Sequence, residues 1–220
     1  GRDKILTPSI NEVHPRYGTP YRAIAITDEV SLAGVVRAHE QTREHNIDLI
    51  IGSECHWQDS QLPGPVRLIL LVTGHTGYTH LCQLISRARG RAPKGQYELL
   101  AQDLDADLSG LLAIWKPDAG LDSAALDATA QWLKDRWQSR LWLGATRTLA
   151  SDDRRRFDDL ERLSQTHALP VVACGDVRMI QRHDQALLDI AWALAHHCTV
   201  QELGLNASSN AEQHLRPITT

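Results

Sequence analysis

The chain has 220 residues, of which 42% are hydrophobic and 23% are charged, and its formal net charge at pH 7 is −4. This composition is typical of a globular protein that buries a sizeable core, in one large domain or two small ones. The acidic balance and the lack of a dense Lys and Arg block argue against a domain whose main task is to hold nucleic acid phosphates. A nucleic-acid enzyme in which another domain holds the phosphates stays open.

Cysteine usage and hydropathy bear on the cellular location. The four cysteines are far apart and form no CxxC pair, which argues against a zinc finger and against a disulfide framework. No apolar stretch reaches the roughly 18 residues of a membrane-spanning helix, and the first residues lack a charged-then-apolar signal pattern. We therefore expect no membrane association and a cytoplasmic location.

Two polar or irregular segments flank a long patterned region. Residues 1–20 are predicted to be irregular, because three prolines and a glycine stand too close together for a regular element. Residues 201–220 are polar, contain no closing hydrophobic element, and are interpreted as a tail or a linker towards a following region. The interval 21–200 is predicted to form an α/β domain.

Within that interval, short apolar runs alternate with longer helical patterns. The predicted strands are residues 22–27, 48–52, 66–73, 111–115, 141–144 and 171–174, and the predicted helices are roughly 31–45, 77–89, 121–138, 152–168 and 181–197. Residues 57–65 are predicted to form a hairpin loop between the second and third strands. Near-continuous apolar strands separated by amphipathic helices indicate parallel strands buried on both faces, as in a barrel or an open doubly wound sheet.

The first predicted helix shows the clearest periodicity. Leu32, Val35, Val36 and His39 follow i, i+3, i+4, i+7 spacing, which predicts a single apolar face. On this basis His39 is more simply a core histidine than a metal ligand.

Candidate functional residues follow the predicted strands, since ligands of parallel α/β proteins bind at the C-terminal ends of strands. Polar residues at these ends are Asp28, Glu29, Glu54, His56, His75, Thr146, Asp176 and Arg178. Three ends carry a carboxylate, and such converging charges must be neutralised. A hard divalent cation such as Mg²⁺ or Mn²⁺ would do so, and so would an ion pair with Arg178, two residues after Asp176.

Alternatives and exclusions limit this interpretation. Asp28 could instead be the N-cap of the following helix, a position that favours Asp. The histidines never show HxH, HxxxH or HExxH spacing, which argues against a catalytic zinc site. No GxSxG elbow, GxGxxG loop or GxxxxGK[ST] loop is present.

Several stretches resemble one family in the same order. They are ITDEVSLAGVVRAHE followed by LIIGSE, then GYTHLCQLISRAR, KGQYELLAQDL, LPVVACGDVRM and NAEQHLRP. Together they resemble the polymerase-and-histidinol-phosphatase (PHP) domain at the N-terminus of bacterial C-family DNA polymerases, and the error-prone branch most closely. The resemblance spans about residues 20–217, which leaves little room for an unrelated α/β protein.

The resemblance implies a distorted TIM-like barrel of about six to seven mainly parallel strands with a metal cluster at its C-terminal mouth. Carried over residue by residue, Asp28 matches the TD aspartate, Glu54 the acid of a GxE segment and Asp176 the first residue of a closing DxH. Glu29 and Arg178 stand where active members have histidines. The opening HxH has no counterpart, and the first barrel strand and its helix are not recognisable.

These departures predict a PHP domain that has lost its catalytic metal site. Asp28, Glu29, Glu54 and Asp176 would be vestigial metal ligands, and Arg178 would form an ion pair in place of the metal, because a guanidinium cannot lose its proton to bind a cation. No catalytic residues and no cofactor are then expected in this chain.

The resemblance also implies a setting for the chain. The parent protein would be a DNA-directed DNA polymerase, an alternative DNA polymerase III alpha subunit that acts in replication, repair and damage-induced translesion synthesis. Its partners would be the polymerase body of the same chain and a clamp or accessory mutagenesis proteins, with DNA reached through the parent. The alternative is a metal-dependent phosphoesterase or 3′–5′ exonuclease with bound Mn, Mg or Zn.

Overall fold

The computed structural model describes residues 21–118, 120–204, 207 and 210–216. The segment predicted to be irregular, residues 1–20, lies outside the described residues, as do parts of the polar segment 201–220. None of the helices in the described part is long and apolar enough to cross a membrane.

In the described part of the chain, the strands form a single sheet. Its six strands are β1 (Ala23–Ile26), β2 (Asp48–Trp57), β3 (Val66–Val72), β4 (Leu111–Trp115), β5 (Leu141–Ala145) and β6 (Val171–Ala173), adjacent in that order. The pairs β1–β2, β4–β5 and β5–β6 are parallel, whereas β3 is antiparallel to both of its neighbours. The sheet is thus a mostly parallel half-barrel, which confirms the predicted α/β class.

The direction of β3 follows from its short connection. Only residues 58–65 separate β2 from β3, and a loop of this length joins antiparallel strands, whereas a parallel pair needs a longer crossover. The predicted hairpin loop is therefore confirmed. Its consequence is that β3 begins at the edge of the sheet where the other strands end.

Five α-helices of the described residues connect or follow the strands. They are α1 (Val35–His45), α2 (His75–Arg91), α3 (Ser123–Trp137), α4 (Asp153–His167) and α5 (Gln185–His196). Short 3-10 turns add Ala101–Asp105, Gln138–Arg140, Arg182–Asp184 and Val200–Glu202. Asp122 is the N-cap of α3, and its side chain accepts a hydrogen bond from the main-chain nitrogen of Ala125 at 2.8 Å.

The prediction for the first helix is wrong in its start and in its buried face. The helix begins at Val35 and buries Val35, Ala38 and Thr42. Val36 is 73% exposed and His39 is exposed. The predicted period included Leu32, which lies before the helix, and this shifted the inferred face by a fraction of a turn.

The hydrophobic core lies between the sheet and helices α2, α3 and α4. Trp57, Trp115 and Trp137 are at most 1% exposed and pack there with leucines from three strands, β3, β4 and β5. A smaller cluster of Ile26, Ala38 and Ile47 holds α1 against β1 and β2. Because each fully buried aliphatic side chain contributes about 1.5–3 kcal/mol, this layer fixes the strands whose ends carry the polar residues.

The inner face of the sheet is open between β1 and β6. A cavity of about 400 Å³ lies there, with Ile69, Leu71 and Ile114 among its lining residues. Residues 213–216 run beside the chain that follows β6: the main-chain nitrogen of Arg178 donates to the oxygen of Gln213 at 2.8 Å, and that of Leu215 to the oxygen of Met179 at 3.0 Å.

Candidate functional site

The candidate site is the edge of the sheet at which β2, β4, β5 and β6 end and β3 begins, here called the mouth. A polar cavity of about 430 Å³ opens at this edge. Its lining includes His56, Arg67, Lys116, Thr146, Asp176 and Arg178. Basic side chains and the carboxylate of Asp176 therefore meet in one place, whereas the predicted Asp28, Glu29 and Glu54 are not among the residues that line this cavity.

Glu54 is held at the mouth by β2 and β3. Arg67 lies directly opposite His56 in the antiparallel register, and since alternate residues share a face, both side chains lie on the face of Glu54. The Nε atom of Arg67 donates to Glu54 Oε1, and His56 Nε2 lies 3.3 Å from the same oxygen. The carboxylate is thus contacted by a cation from the neighbouring strand.

The electrostatics of Glu54 follow from these contacts. The residue is only 4% exposed, and burial by itself would raise the pKa of the carboxyl group. The hydrogen bond from His56 and the positive charges of Arg67 and Lys116 outweigh burial and hold the pKa of Glu54 well below its usual range. The side chain is therefore an anion at neutral pH.

Asp176 forms the second acidic centre. Lys116, directly after β4, places its Nζ 2.8 Å from Asp176 Oδ2, and Gln213 Nε2 donates to the same oxygen at 3.0 Å. Both members of the ion pair are largely buried, with 8% and 12% of the side chains exposed. Burial raises the pKa of Asp176, but the charges of Lys116, Arg178 and Arg67 reverse this effect and the pKa is lowered.

A glycine on the intervening strand makes this ion pair possible. Lys116 follows β4 and Asp176 follows β6, so the lysine side chain must cross β5. A Cβ atom on Gly144 of β5 would lie 2.9 Å from Ile114 Cγ2 and 3.2 Å from Lys116 Cγ. The missing side chain leaves the space through which Lys116 reaches Asp176.

Arg178 lines the same cavity but makes a different contact. Its guanidinium carbon lies 6.0 Å from the centroid of the Trp192 ring in α5, at the outer limit of a cation–π contact. Its charge is the second contribution, after that of Lys116, to the lowered pKa of Asp176. The structure thus places Arg178 between the mouth and the last helix.

Asp28 contacts β2 near the mouth through hydrogen bonds to its main-chain oxygen. Its carbonyl oxygen accepts hydrogen bonds from Ser53 Oγ at 2.7 Å and from the nitrogen of Glu54 at 3.2 Å, so the chain continues alongside β2 after β1 ends. The alternative interpretation as an N-cap is wrong, because the N-cap of α1 is Gly34. The Asp28 carboxylate still lies near that helix end, with Oδ2 3.2 Å from the position of a Cβ on Gly34.

Glu29 is hydrogen-bonded by residues of α2 and of the loop after it. Its carboxylate accepts a hydrogen bond from the Tyr97 hydroxyl group. Arg89 of α2 donates to the main-chain oxygens of Glu29 and Val30, both at 3.1 Å. Glu29 therefore connects the segment after β1 to α2 and to the loop that follows α2.

His75 was wrongly assigned to the mouth, whereas Thr146 is correctly placed. Because β3 is antiparallel, its C-terminal end lies at the opposite edge, and His75 begins α2 there. Thr146 is 4% exposed and lines the cavity. Among the residues that the structure describes, no group of three or more His, Cys, Asp or Glu side chains is arranged to hold a metal ion.

Sequence reasoning missed the two cations that contact the acids. Lys116 directly follows the predicted strand LLAIW, so a survey of all strand ends would have included it. Arg67 required one further step, because a strand after a hairpin presents its first residues at the mouth. The signal for Arg67 was the short loop 58–65.

The chain is an α/β half-barrel with polar side chains at the C-terminal ends of its parallel strands. This arrangement places it in the class of α/β proteins with TIM-like barrels. Residues 19–141 match the PHP domain family over more than half of the chain. The chain therefore belongs to the PHP domain family.

Curated relatives match 90% of this chain. The error-prone DNA polymerase of Pseudomonas savastanoi pv. phaseolicola is 46% identical over 198 residues, which is 90% of this chain and 19% of the relative. That of Pseudomonas aeruginosa is 47% identical over 199 residues, and that of Methylococcus capsulatus is 40% identical over 199 residues, each covering 90% of this chain and 18% of the relative. The chain thus spans about a fifth of the length of these relatives.

Solved structures share the fold at low sequence identity. A proposed metal-dependent phosphoesterase from Bifidobacterium adolescentis has a TM-score of 0.53 and 15% identity, covering 80% of this chain and 84% of that protein. An amidohydrolase from Chromobacterium violaceum, solved with bound sulfate and no metal, has a TM-score of 0.53 and 11% identity, covering 78% and 82%. These similarities support the barrel-like fold.

Proposed function

We propose that this chain is the PHP domain of an error-prone DNA polymerase, an alternative DNA polymerase III alpha-like subunit, and that it is a structural domain without metal-dependent catalysis. Identities of 40–47% over 90% of the chain to curated error-prone DNA polymerases support the first part. The parent would synthesise DNA in replication, repair and damage-induced translesion synthesis in the cytoplasm. Its partners would be the polymerase body of the same chain and a clamp or accessory mutagenesis proteins. DNA would be bound through the parent polymerase.

The ion pairs at the mouth support the second part. Lys116 Nζ lies 2.8 Å from Asp176, and Arg67 donates to Glu54. A protonated ammonium and a guanidinium have no lone pair for a metal, and each contacts one oxygen of a carboxylate that a metal would need, Asp176 Oδ2 and Glu54 Oε1. Asp176 and Glu54 therefore fit Mn, Mg or Zn poorly.

The proposed role is to hold the strand ends together. Glu54 lies in β2 and its partner Arg67 in β3, whereas Lys116 follows β4 and Asp176 follows β6, so the two pairs join four strands at one edge. Removing one member of a buried pair leaves an uncompensated charge and costs about 3–5 kcal/mol. In this interpretation the former ligand positions stabilise the domain within a polymerase.

A specific observation favours a second candidate, a metal-dependent phosphoesterase or 3′–5′ exonuclease. The fold resembles that of a proposed metal-dependent phosphoesterase with a TM-score of 0.53, and two buried carboxylates still converge at the mouth. This candidate requires that Lys116 and Arg67 withdraw when a metal arrives.

Hydrolysis of bis-(p-nitrophenyl) phosphate in the presence of Mn²⁺ distinguishes the two candidates. The proposed structural role predicts no hydrolysis above the protein-free rate for the purified chain. Turnover that requires Mn²⁺ and disappears in Asp176→Asn would establish the second candidate. Glu40→Gln, which removes an acid from the exposed side of α1, is the control for a change of net charge.

A further inference from the structure

Helix α5 carries an apolar face that the described fold leaves exposed. Leu187, Ile190 and Leu194 are 54%, 47% and 71% exposed. Their spacing of i, i+3 and i+7 places them on one side of the helix, and Leu188 and Ala191 are buried on another. The helix therefore presents two apolar faces, of which the fold covers only one.

This stripe differs from the other exposed hydrophobic residues of the described chain. Val36 on α1 and Tyr78 on α2 stand alone on their helices, and isolated exposed residues of this kind are common on protein surfaces. On α5 three large aliphatic side chains lie on one side of the helix, and Val200, 40% exposed, begins the 3-10 turn that follows the helix. A contiguous apolar face is a feature of interaction surfaces.

The mouth positions this helix. The Arg178 guanidinium lies over the ring of Trp192, and that ring stacks on His196 with centroids 5.6 Å apart. The main chain of Arg178 is itself fixed by its hydrogen bond to Gln213. A residue of the mouth thus contacts the half-buried Trp192 of α5 and links this helix to the site.

We propose that the exposed face of α5 docks on an apolar surface of the remaining polymerase polypeptide, with Arg178 as a positioning residue. The inference rests on the proposed function. The curated relatives are about five times as long as the matched segment, which covers 18–19% of them, so most of each relative lies outside this domain and is available to cover the helix.

The size of the face favours an occupant in the same polypeptide over a second copy. A stable interface between separate proteins buries about 1,000 Å² or more, which is more than three side chains and one flanking valine supply. A covalent connection raises the effective concentration of the partner surface, so a small apolar contact suffices. The stripe is therefore suited to contact within one polypeptide.

Hydrogen exchange tests this proposal in a full-length setting. In a chimera, the matching residues of this chain replace the matched segment of the Pseudomonas aeruginosa relative. Amides of α5 are expected to exchange at least about tenfold more slowly in the chimera than in the isolated 220-residue chain, because docking suppresses local opening of the helix.

Variants identify the surface responsible. Leu187→Glu combined with Leu194→Glu should abolish the additional protection, whereas Val36→Glu, an equally polar change on exposed α1, should preserve it. Arg178→Gln should weaken the protection of α5 in the chimera, and Arg156→Gln, another cation lining the mouth cavity, should not. Circular dichroism of each isolated chain checks that the fold is retained.

Two outcomes would overturn the proposal. One is equal exchange of α5 in the isolated chain and in a chimera that synthesises DNA, which would reject docking while leaving the proposed function intact. The other is protection of α5 in the isolated chain that depends on concentration and is lost in Leu194→Glu, which would assign the face to a second copy. A soluble, folded chimera without polymerase activity would instead count against the proposed function.

Discussion

At the scale of single residues, the mouth is defined by how two carboxylates are neutralised. Glu54 is contacted by Arg67 and His56, and Asp176 by Lys116. Both acids have lowered pKa values because these positive charges and hydrogen bonds outweigh burial. Two of the residues that the family resemblance predicts as vestigial metal ligands are thereby partners in ion pairs.

The first prediction concerns the pH dependence of stability. Because the pKa of Glu54 is lower in the folded chain than the roughly 4.3 of an unfolded glutamate, its contribution is present above that pH and is lost as the pH falls towards the folded value. Glu54→Gln should therefore reduce the free energy of unfolding at pH 7 by about 3 kcal/mol. It should also flatten the loss of stability between neutral and acid pH.

Urea unfolding at a series of pH values measures both effects. Glu40→Gln is the matched control, since it removes an exposed acid on α1 without touching the mouth. Equal pH profiles for Glu54→Gln and the wild-type chain would contradict the account.

The second prediction concerns the coupling between Lys116 and Asp176. Lys116→Met leaves a buried carboxylate with less compensation, and Asp176→Asn leaves a buried ammonium, so each single change should destabilise the chain by about 3 kcal/mol. The double variant removes both charges, so its loss of unfolding free energy should be clearly smaller than the sum of the losses in the two single variants. A coupling of about 1–3 kcal/mol in the double-mutant cycle is expected.

An exposed ion pair supplies the reference for this cycle. Arg155 and Asp159 on α4 are 3.9 Å apart, with 67% and 30% of the side chains exposed. Their coupling should be only about 0.3–0.5 kcal/mol, as for other i, i+4 pairs on helices. Additive effects of the Lys116 and Asp176 changes would show that the two charges are not paired.

At the scale of secondary structure, the strands were more predictable than their directions. Apolar runs such as VRLILLVT and LLAIW predicted the strands because buried strands are continuously hydrophobic. The antiparallel direction of β3 follows from the predicted hairpin loop before it, but the strands were treated as parallel, so His75 was assigned to the wrong edge and Arg67 was missed. Lys116 was missed although its position after LLAIW was visible in the sequence.

The third prediction concerns the contact between α2 and the turn before β4. A Cβ atom on Gly77 would lie 1.9 Å from the main-chain oxygen of Gly110, and Gly110 itself has a φ of +74°. Since backbone cannot move aside as a flexible side chain does, Gly77→Ala should destabilise the chain by about 3 kcal/mol or more.

Gly90 provides the matched control in the same helix. It is exposed, and a Cβ there would meet nothing within 4 Å. Gly90→Ala should stabilise the chain by about 0.5–1 kcal/mol, because alanine restricts the unfolded chain and favours the helix. Thermal unfolding of the two variants compares the effects, and equal stability would refute the close contact at Gly77.

At the scale of the whole molecule, the half-barrel has two distinct surfaces. The mouth carries paired charges from β2, β3, β4 and the residues after β6, and α5 carries an apolar stripe. Arg178 links them through Trp192. In the proposed polymerase, the first surface stabilises the domain and the second attaches it to the remaining polypeptide.

Only part of the candidate site could be predicted from the sequence. Glu54 and Asp176 were identifiable because each follows an apolar strand, and both lie at the mouth. The residues that neutralise them were not, because an ion pair across β5 depends on the space left by Gly144, a property of side-chain packing between strands. Arg178 was identified as a change in the family pattern, but its contact with Trp192 required the position of α5.

The central claim is that cationic side chains, rather than a metal, neutralise the carboxylates of the mouth. The most direct test is a measurement of bound metal. The chain is equilibrated with Mn²⁺ or Zn²⁺, passed through gel filtration, and its metal content is determined by plasma mass spectrometry. The account predicts substoichiometric metal that Glu54→Ala and Asp176→Asn leave unchanged. Stoichiometric Mn²⁺ or Zn²⁺ that is lost in both variants would contradict it.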